Sequence, residues 1–209
     1  RVIFPKKASS FYHLSKVHDS NNLEFTCRNW GLRVTDLNQG IVYGTHTDCT
    51  KIDGSGTSFH YDSIFGTVIN RFITQGMSGH DLTVYGSGGQ TRAYLHISDV
   101  IQCIKLAIND PADIGEFKVR NQFTEFKSVN ELAALVKEAL DYKGYISKIS
   151  KINNPRVEQD QHYYNPINES FLKLGLSPKL ISRDIIIEMI DYIAPFIHNA
   201  DKSVMNPNI

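Results

Sequence analysis

The sequence predicts an α/β fold built on a parallel sheet. Apolar residues recur at helical spacing over residues 9–30, and a strand-like segment rich in β-branched residues follows directly after Gly31. A helix, a short turn and such a strand make half of a βαβ crossover, the connection that joins parallel strands. Strand-like and helix-like segments then alternate as far as the C-terminus, which is typical of an α/β protein.

Composition excludes several function classes. The 209 residues are 41% hydrophobic and 21% charged, with 22 basic and 22 acidic residues, so no net charge attracts nucleic acid or a membrane surface. The cysteines, Cys27, Cys49 and Cys103, are too widely spaced for a zinc site and are expected to be reduced thiols. No apolar run approaches the roughly 18 residues of a membrane span. We therefore expect a soluble protein without nucleic acid, membrane or metal partners.

The first elements follow from caps and glycines. Ser9 or Ser10 is predicted to cap the first helix, and Gly31 to end it. Residues 32–44 are predicted as one buried strand that runs into a glycine-bounded loop. The polar, Gly/Ser-rich residues 45–61 are predicted as a functional or mobile loop.

The middle of the chain alternates between helix-like and strand-like patterns of apolar residues. Residues 63–79 are predicted as a helix, and residues 82–86 and 92–97 as short strands on either side of a GSGGQT turn. Asp99 is predicted to cap or open the next helix. Residues 116–121 then read as a strand.

The last third contains the clearest helix start in the sequence. Ser128 and Glu131 stand in the SVNE arrangement of a capping box ahead of LAALVKEAL. The remaining elements are predicted in this order: a strand over 145–152, a polar loop over 153–165, and helices over 171–176 and 185–197.

Tyr12 and Lys16 are the first candidates for chemistry. They stand four residues apart, which places a phenol and an ammonium on one face of the predicted helix. The strand after this helix reaches Asn38 and Gln39 at the carboxyl edge of the sheet, where ligands bind in such folds. A fixed ammonium would stabilise the phenolate and let it act as a base. A half-buried aromatic residue is the alternative interpretation of Tyr12.

Six segments, taken in order, resemble the UDP-sulfoquinovose synthase family of extended short-chain dehydrogenase/reductases. They are YHLSK, DLNQGIVYG, FGTVINRF, LTVYGSGGQTRAYLHISD, VRNQFTE and NPRVE. The QTR motif is shared by many nucleotide-sugar epimerases and dehydratases, whereas FYHLSKVHDS, TDLNQG and NPRVE are narrower. The resemblance implies the C-terminal part of a Rossmann-like parallel sheet in residues 1–62. It implies a smaller mixed α/β nucleotide-sugar-binding domain in residues 63–209, with some segments returning to the sheet.

The same resemblance implies an NAD-dependent enzyme that converts UDP-glucose and sulfite to UDP-sulfoquinovose through a 4-keto intermediate. Tyr12 would be the base for the C4 hydroxyl, and Lys16 would activate it and bind the cofactor ribose. His13 would help to position sulfite, with a surface or packing imidazole as the alternative. Gln39 and Val42 would lie beside the nicotinamide cofactor.

The implied UDP-sugar site draws on several segments. Asn38 and Gln39 would touch the substrate, although both also suit a turn before Gly40. The other implied substrate-binding positions are Thr67, Asn70, Val84, Tyr85, Gly86, Gln90, Arg92, Arg156 and Glu158. Arg92 and Arg156 would neutralise the diphosphate with bidentate bonds, and Glu158 would bind the uridine ribose. For either arginine alone, a surface salt bridge is the alternative.

No GxGxxG motif follows a predicted strand, so the family's glycine loop and its catalytic Thr would precede this chain. We expect the chain to be the C-terminal part of a longer enzyme and to be inactive alone, with the TDLNQG strand exposed at a sheet edge. The resemblance also suggests a homodimer formed through helices such as 9–30. It implies a cytoplasmic protein in a prokaryote, or a stromal one in the chloroplast of a plant or alga.

Two further functions stay open at this point. An NDP-sugar 4-epimerase or 4,6-dehydratase would use the same tyrosine, lysine and arginines. A non-catalytic UDP-sugar-binding module would need only Arg92, Arg156 and Glu158. His96, in LHISD, stands where the relatives have an aspartate, which is a departure from the family pattern.

Overall fold

The computed structural model describes residue 8 and residues 10–154 and 166–205. The α-helices are α1 (Phe11–Trp30), α2 (Asp48–Ile52), α3 (Val68–Met77), α4 (Ile97–Asn109), α5 (Val129–Tyr142), α6 (Glu169–Lys173) and α7 (Arg183–Ile193). The strands are β1 (Val34–Gln39), β2 (Ile41–Tyr43), β3 (Leu82–Tyr85), β4 (Thr91–His96), β5 (Phe117–Gln122), β6 (Glu125–Ser128) and β7 (Ile149–Ile152). Two 3-10 helices follow α7, at Ala194–Asn199 and Lys202–Val204.

These strands form three small sheets. β1 pairs with β5 and β3 pairs with β7, and both pairs are parallel. β4 lies between β2, which is parallel to it, and β6, which is antiparallel. The predicted α/β class is confirmed, with parallel pairing at β1 and a mixed sheet further along the chain. β5 comes from the second predicted domain but pairs with a strand of the first, and the boundary at residue 62 stays a prediction.

Helices cover both faces of the β1/β5 pair. Neighbouring side chains of a strand point to opposite faces, and Asp36 contacts α1 whereas Leu37 packs beside the buried Cys103 of α4 and Phe171 of α6. The larger core lies elsewhere, among α3, α5, α7, β3 and β4, and contains fully buried residues such as Phe72.

The structure corrects the prediction of one strand over residues 32–44. The chain leaves the β1/β5 pair at Gly40 and joins a different sheet as β2. A Cβ atom on Gly40 would lie 2.8 Å from the carbonyl oxygen of Ala93 and 3.0 Å from the Cβ of Phe123. The change of sheet therefore takes place where only a glycine fits, and β1 is half-buried rather than fully buried.

Other differences concern element ends. The predicted loop over 45–61 contains the short helix α2, and the helix predicted over 63–79 begins only at Val68. His96, rather than Asp99, caps α4, and its Nδ1 atom accepts the Ser98 backbone N–H at 3.1 Å.

Three differences lie in the C-terminal half. β6 was not predicted, and the predicted strand over 145–152 shortens to β7. The helix predicted over 171–176 begins earlier and ends at Lys173. The predicted loop over 153–165 lies largely outside the described residues.

Several local signals are confirmed. Ser10 caps α1, and Gly31 ends it with a left-handed backbone at φ 67°. Ser128 and Glu131 form the predicted capping box at the start of α5. Within the described residues, no helix is both long enough and apolar enough to cross a membrane.

Candidate active site

The N-terminal helix presents the predicted Tyr12/Lys16 pair. The Ser10 hydroxyl accepts the His13 backbone N–H at 3.1 Å and so fixes the first turn of α1. Tyr12 and Lys16 are one helical turn apart, and Lys16 Nζ lies 5.7 Å from the centroid of the Tyr12 ring. Tyr12 is 68% exposed. The structure therefore confirms the helix and the proximity of the phenol and the ammonium, while their chemical roles stay predictions.

These residues open onto a cavity of about 770 Å³, which we call the Tyr12 cavity. Its lining includes the end of β1 and part of α1: Tyr12, His13, Lys16, Asp19, Ser20, Leu23, Asp36, Leu37, Asn38, Gln39, Gly40, Asn121, Phe123 and Pro166. Five of the predicted catalytic, cofactor or substrate positions thus share one cavity. His13 is one of these five.

A side-chain hydrogen bond holds α1 against β1 in this cavity. The Ser20 hydroxyl donates to Asp36 Oδ2 at 2.7 Å. Ser20 stands one turn after Lys16 and two turns after Tyr12, so the bond fixes the helix face that carries the candidate catalytic residues. Lys16 itself pairs with Asp19 at 3.4 Å, and both side chains are 61% exposed. Such an exposed pair contributes little stability, so a ligand can compete with Asp19 for the ammonium.

Val42, the other predicted cofactor contact, lies away from the residues that line the Tyr12 cavity. It is in β2 and is the register partner of Leu95 in β4. The break at Gly40 separates Val42 from Gln39 by placing the two residues in different sheets.

A second cavity, of about 240 Å³, is lined by four of the nine predicted nucleotide-side residues; we call it the Arg71 cavity. Its lining comes from β2, β3, β4, the starts of α3 and α5, and the segments before α3 and β4: Ile41, Asp62, Ser63, Gly66, Thr67, Val68, Arg71, Tyr85, Gln90, Arg92, Tyr94 and Val129. Gly40 lines the Tyr12 cavity and Ile41 lines this one, so consecutive residues connect the two sites.

Four predicted substrate positions line the Arg71 cavity: Thr67, Tyr85, Gln90 and Arg92. The Thr67 hydroxyl caps α3 by accepting the Asn70 backbone N–H at 3.3 Å, so the N-terminus of this helix begins at the cavity. An N-terminus of this kind favours anions. Gln90 donates through Nε2 to the Tyr85 carbonyl at 3.1 Å, which fixes its side chain near the floor.

Three other predicted positions do not line either cavity, and two cannot be placed. The Asn70 amide donates to the His60 carbonyl at 3.0 Å. The Val84 side chain is fully buried in the larger core, and the Gly86 N–H donates to the Ile152 carbonyl at 2.9 Å. Arg156 and Glu158 lie outside the described residues.

Sequence reasoning missed Arg71. Its side chain is 7% exposed, donates through Nη2 to the Thr83 carbonyl at 3.0 Å, and lies over the Tyr85 ring with 4.0 Å between the guanidinium carbon and the ring centroid. The available signal was an arginine directly before Phe72 and Ile73 in a predicted helix, where burial of a charge requires partners. Together with Arg92, it places two guanidiniums at one cavity.

A buried polar cluster lies next to β4 and α4. Asp99 accepts the Lys179 backbone N–H at 2.9 Å, and burial raises the pKa of its carboxyl to about 6. Burial also lowers the pKa of His96 to about 4, with a further contribution from the charge of Lys179. The Tyr43 hydroxyl donates to the Lys179 carbonyl at 2.8 Å. This cluster attaches the segment before α7 to the sheet that carries Arg92.

Within the described ranges, no group of three or more His, Cys, Asp or Glu side chains could hold a metal ion. The Tyr12 cavity does suit a nicotinamide nucleotide, because it offers an ammonium for ribose hydroxyls and two amide side chains at the end of β1. Its volume lies within the ordinary range of small-molecule sites, roughly 300–1,000 Å³.

Comparison with known proteins agrees with this geometry. Residues 3–121 match the model of the NAD dependent epimerase/dehydratase family. The chain is 49% identical over 207 residues to the chloroplastic UDP-sulfoquinovose synthase of Spinacia oleracea, covering 99% of this chain and 43% of that protein. It is 41% identical over 196 residues to the UDP-sulfoquinovose synthase of Sulfolobus acidocaldarius, covering 94% and 50% respectively.

A solved structure shows the same fold at low identity. It is the UDP-glucose 4-epimerase of Thermotoga maritima with UDP-glucose, at 23% identity and a TM-score of 0.69, covering 93% of this chain and 59% of that one. The chain thus spans about half the length of the curated relatives that it matches. The predicted resemblance and the Rossmann-like fold class are confirmed, and the chain belongs to the NAD dependent epimerase/dehydratase family.

Proposed function

We propose that this chain supplies the Tyr/Lys pair and the nucleotide-sugar site of an NAD-dependent enzyme that makes UDP-sulfoquinovose from UDP-glucose and sulfite. The observation that carries the proposal is the near-complete match, at 49% identity, to a UDP-sulfoquinovose synthase. The geometry supports it, because Tyr12, His13 and Lys16 share one cavity with Asn38 and Gln39.

In this proposal the Arg71 cavity holds the nucleotide. Arg71 and Arg92 supply positive charge at its wall, and the capped N-terminus of α3 adds backbone N–H groups. A diphosphate carries negative charge that such groups neutralise well, since guanidinium bonds to phosphate oxygens are charge-assisted. Gly40 and Ile41 then lead from the nucleotide to the sugar end of the ligand.

The sugar end would lie in the Tyr12 cavity. There the Tyr12 phenolate takes the proton of the C4 hydroxyl, and Lys16 stabilises that phenolate and donates to ribose hydroxyls of the cofactor. NAD, when bound, would supply the chemistry of accepting a hydride and returning it. With C4 as a carbonyl, loss of the C5 proton and the C6 hydroxyl as water would leave a C5–C6 double bond. The sulfur lone pair of sulfite would add to it at C6 while C5 regains a proton, and return of the hydride to C4 would complete the product. His13 lies at the same cavity and is placed to bind sulfite.

The test is an assay of the full-length protein, meaning the longest polypeptide that the gene encodes around this chain. It is incubated with UDP-glucose, NAD⁺ and sulfite, and the nucleotide sugars are identified by mass spectrometry. We expect a sulfonated UDP-sugar that depends on sulfite and is absent for the Tyr12→Phe variant.

Three results would contradict the proposal. Formation of UDP-galactose without a sulfonated product would favour an NDP-sugar 4-epimerase, and a 4-keto-6-deoxy product would favour a 4,6-dehydratase. Calorimetric binding of UDP-glucose with no turnover under any of these conditions would favour a non-catalytic binding module.

We also propose that the protein is a homodimer that packs through α1. Phe25 and Trp30 lie edge to face at 5.9 Å on this helix, and their side chains are 48% and 69% exposed. Aromatic side chains of this kind are enriched at protein interfaces. Light scattering of the full-length protein should give twice the monomer mass, and Trp30→Glu should halve it. A parent protein that is already monomeric at micromolar concentration would contradict this.

A further inference from the structure

A chain of side-chain amides connects the floor of the Tyr12 cavity to helix α4. Gln39 donates through Nε2 to Gln122 Oε1 at 3.1 Å, and Gln122 donates through Nε2 to the Val100 carbonyl at 3.3 Å. Gln39 and Gln122 are register partners at the carboxyl ends of β1 and β5. Gln39 lines the cavity, whereas Gln122 lies behind it and is 1% exposed.

The direction of this amide chain is determined at its buried end. The Val100 carbonyl can only accept, so the nitrogen of the Gln122 amide must point toward it. The Gln122 oxygen then faces Gln39, and Gln39 must present its own nitrogen to that oxygen. A reversed Gln122 amide would place two oxygens together at Val100 and two nitrogens together at Gln39. The oxygen–oxygen contact would leave the Val100 carbonyl and the buried Gln122 oxygen without a donor. Gln39 is exposed, so its amide can turn to match the direction that the buried contact sets.

The consequence concerns the part of Gln39 that faces the ligand. Because Nε2 is used toward Gln122, the Oε1 atom of Gln39 is left for the cavity. This oxygen is a hydrogen-bond acceptor, and it lies at the strand end that also carries Asn38. A freely rotating glutamine would offer either a donor or an acceptor, and it would not discriminate between ligands that carry one or the other.

We propose that Gln122 is a positioning residue that holds the Gln39 amide with its oxygen toward the Tyr12 cavity. The site thereby selects a ligand that carries a hydrogen-bond donor, a hydroxyl or an amide N–H, at this point. The inference rests on the proposed function, which supplies two such donors. One is a hydroxyl of the sugar, and the other is the carboxamide of the nicotinamide ring.

Matched ligands separate these two sources in the full-length protein. Binding of NAD⁺ is compared with binding of 3-acetylpyridine adenine dinucleotide, which has a methyl group in place of the amide nitrogen. Binding of UDP-glucose is compared with its 4-deoxy and 6-deoxy forms. The affinity ratio within each pair is measured by calorimetry for the parent and for Gln122→Met, which removes the amide at similar volume.

We expect one pair to show a ratio of up to about 10 in the parent, within the usual range for one hydrogen bond. The ratio should fall to about 2 or less in Gln122→Met, and the pair that changes identifies the donor. In a Gln39→Leu background, adding Gln122→Met should leave the ratio unchanged, because Gln122 acts only through Gln39. Gln102→Met, the same exchange at a glutamine of α4, is the matched control and should preserve the parent ratio.

Two outcomes would overturn the proposal. One is a ratio that stays at the parent value in Gln122→Met for all three ligand pairs, even where the melting temperature falls, because that would make Gln122 purely structural. The other is a further loss of the ratio when Gln122→Met is added to Gln39→Leu. These readouts are binding ratios measured without sulfite, so they remain interpretable even if no sulfonated product forms and the proposed function fails.

Discussion

At the scale of single residues, the exposed Tyr12 phenol is the main prediction for catalysis. Tyr12 is 68% exposed, and its ring packs beside the His13 ring at a centroid distance of 5.7 Å. The ring therefore contributes little to the stability of the fold. The Tyr12→Phe variant keeps the ring and loses only the hydroxyl, so α1 and both cavities should remain unchanged.

We therefore expect Tyr12→Phe to lower kcat of the full-length protein by about 100-fold or more, the usual contribution of a general base. The Kd for UDP-glucose should change by less than twofold, since the hydroxyl acts on the proton and not on the nucleotide. Rapid-quench assays and calorimetry measure the two quantities. A variant that keeps more than a tenth of the parent kcat would remove Tyr12 from this role.

Arg71 is the residue-scale prediction for binding. Its guanidinium donates a hydrogen bond to the Thr83 carbonyl and stacks on the Tyr85 ring, and the residue lines the Arg71 cavity. Arg71→Lys keeps the charge but loses the planar stack, so UDP affinity should fall by about 10-fold, and Arg71→Met should lower it further.

The matched control for this prediction is Arg28→Met. Arg28 lies in the last turn of α1, pairs with Glu24 at 3.8 Å and is 67% exposed at its side chain. Its loss should not change UDP affinity measured by calorimetry. Equal losses for Arg28→Met and Arg71→Met would show that net charge, rather than the cavity, attracts the nucleotide.

At the scale of elements, the decisive feature is the change of sheet between β1 and β2. Gly40 allows it because the carbonyl of Ala93 and the Cβ of Phe123 occupy the space that a side chain would need. Gly40 also separates the end of β1, which lines the Tyr12 cavity, from the start of β2, which lines the Arg71 cavity. The relative position of the two sites therefore depends on this one backbone contact.

Gly40→Ala should separate β2 from β4 or displace the end of β1, because a backbone carbonyl cannot rotate away as a side chain can. We expect a loss of roughly 1–3 kcal/mol in the free energy of unfolding, as for other overpacked sites, and a joint loss of NAD⁺ and UDP-glucose affinity. Urea unfolding and calorimetry measure these effects. Gly54→Ala is unsuitable as a control because of its positive φ of 67°, whereas Ser55→Ala in the same exposed loop is suitable.

At the scale of the whole molecule, two buried groups with opposite pH dependence connect the C-terminal part to the sheets. Burial raises the pKa of Asp99 from 3.8 to about 6, so the folded state binds more protons there and this contribution to stability falls as pH rises through that window. Burial lowers the pKa of His96 from 6.5 to about 4, so its contribution rises with pH over nearly the same window. The two dependences largely cancel in the parent protein.

Asp99→Asn should remove one side of this balance. The unfolding free energy of the variant, relative to that of the parent, should then rise between pH 4 and pH 6 by up to roughly 3 kcal/mol, given 1.36 kcal/mol per pKa unit. His96→Gln should change the difference curve in the opposite direction. Urea unfolding at four pH values between 4 and 7 measures both. Difference curves that are flat for both variants would contradict the balance.

Several features of this protein can be predicted from short stretches of its sequence. The serine cap and the glycine stop of α1, the capping box of α5 and the Tyr12/Lys16 spacing all follow from short-range geometry, and the structure contains each of them. Such features involve residues within one or two turns, so they can be derived without knowing the fold.

The tertiary structure alone decided which strands pair and which side chains meet. The pairing of β1 with β5, the break at Gly40, the burial of Val84 and the stacking of Arg71 on Tyr85 depend on long-range register and on available space. The Gln39–Gln122 contact joins residues that are 83 positions apart in the chain. No local pattern encodes that distance, because two strand ends become neighbours only when the intervening helices pack and bring the parallel strands together.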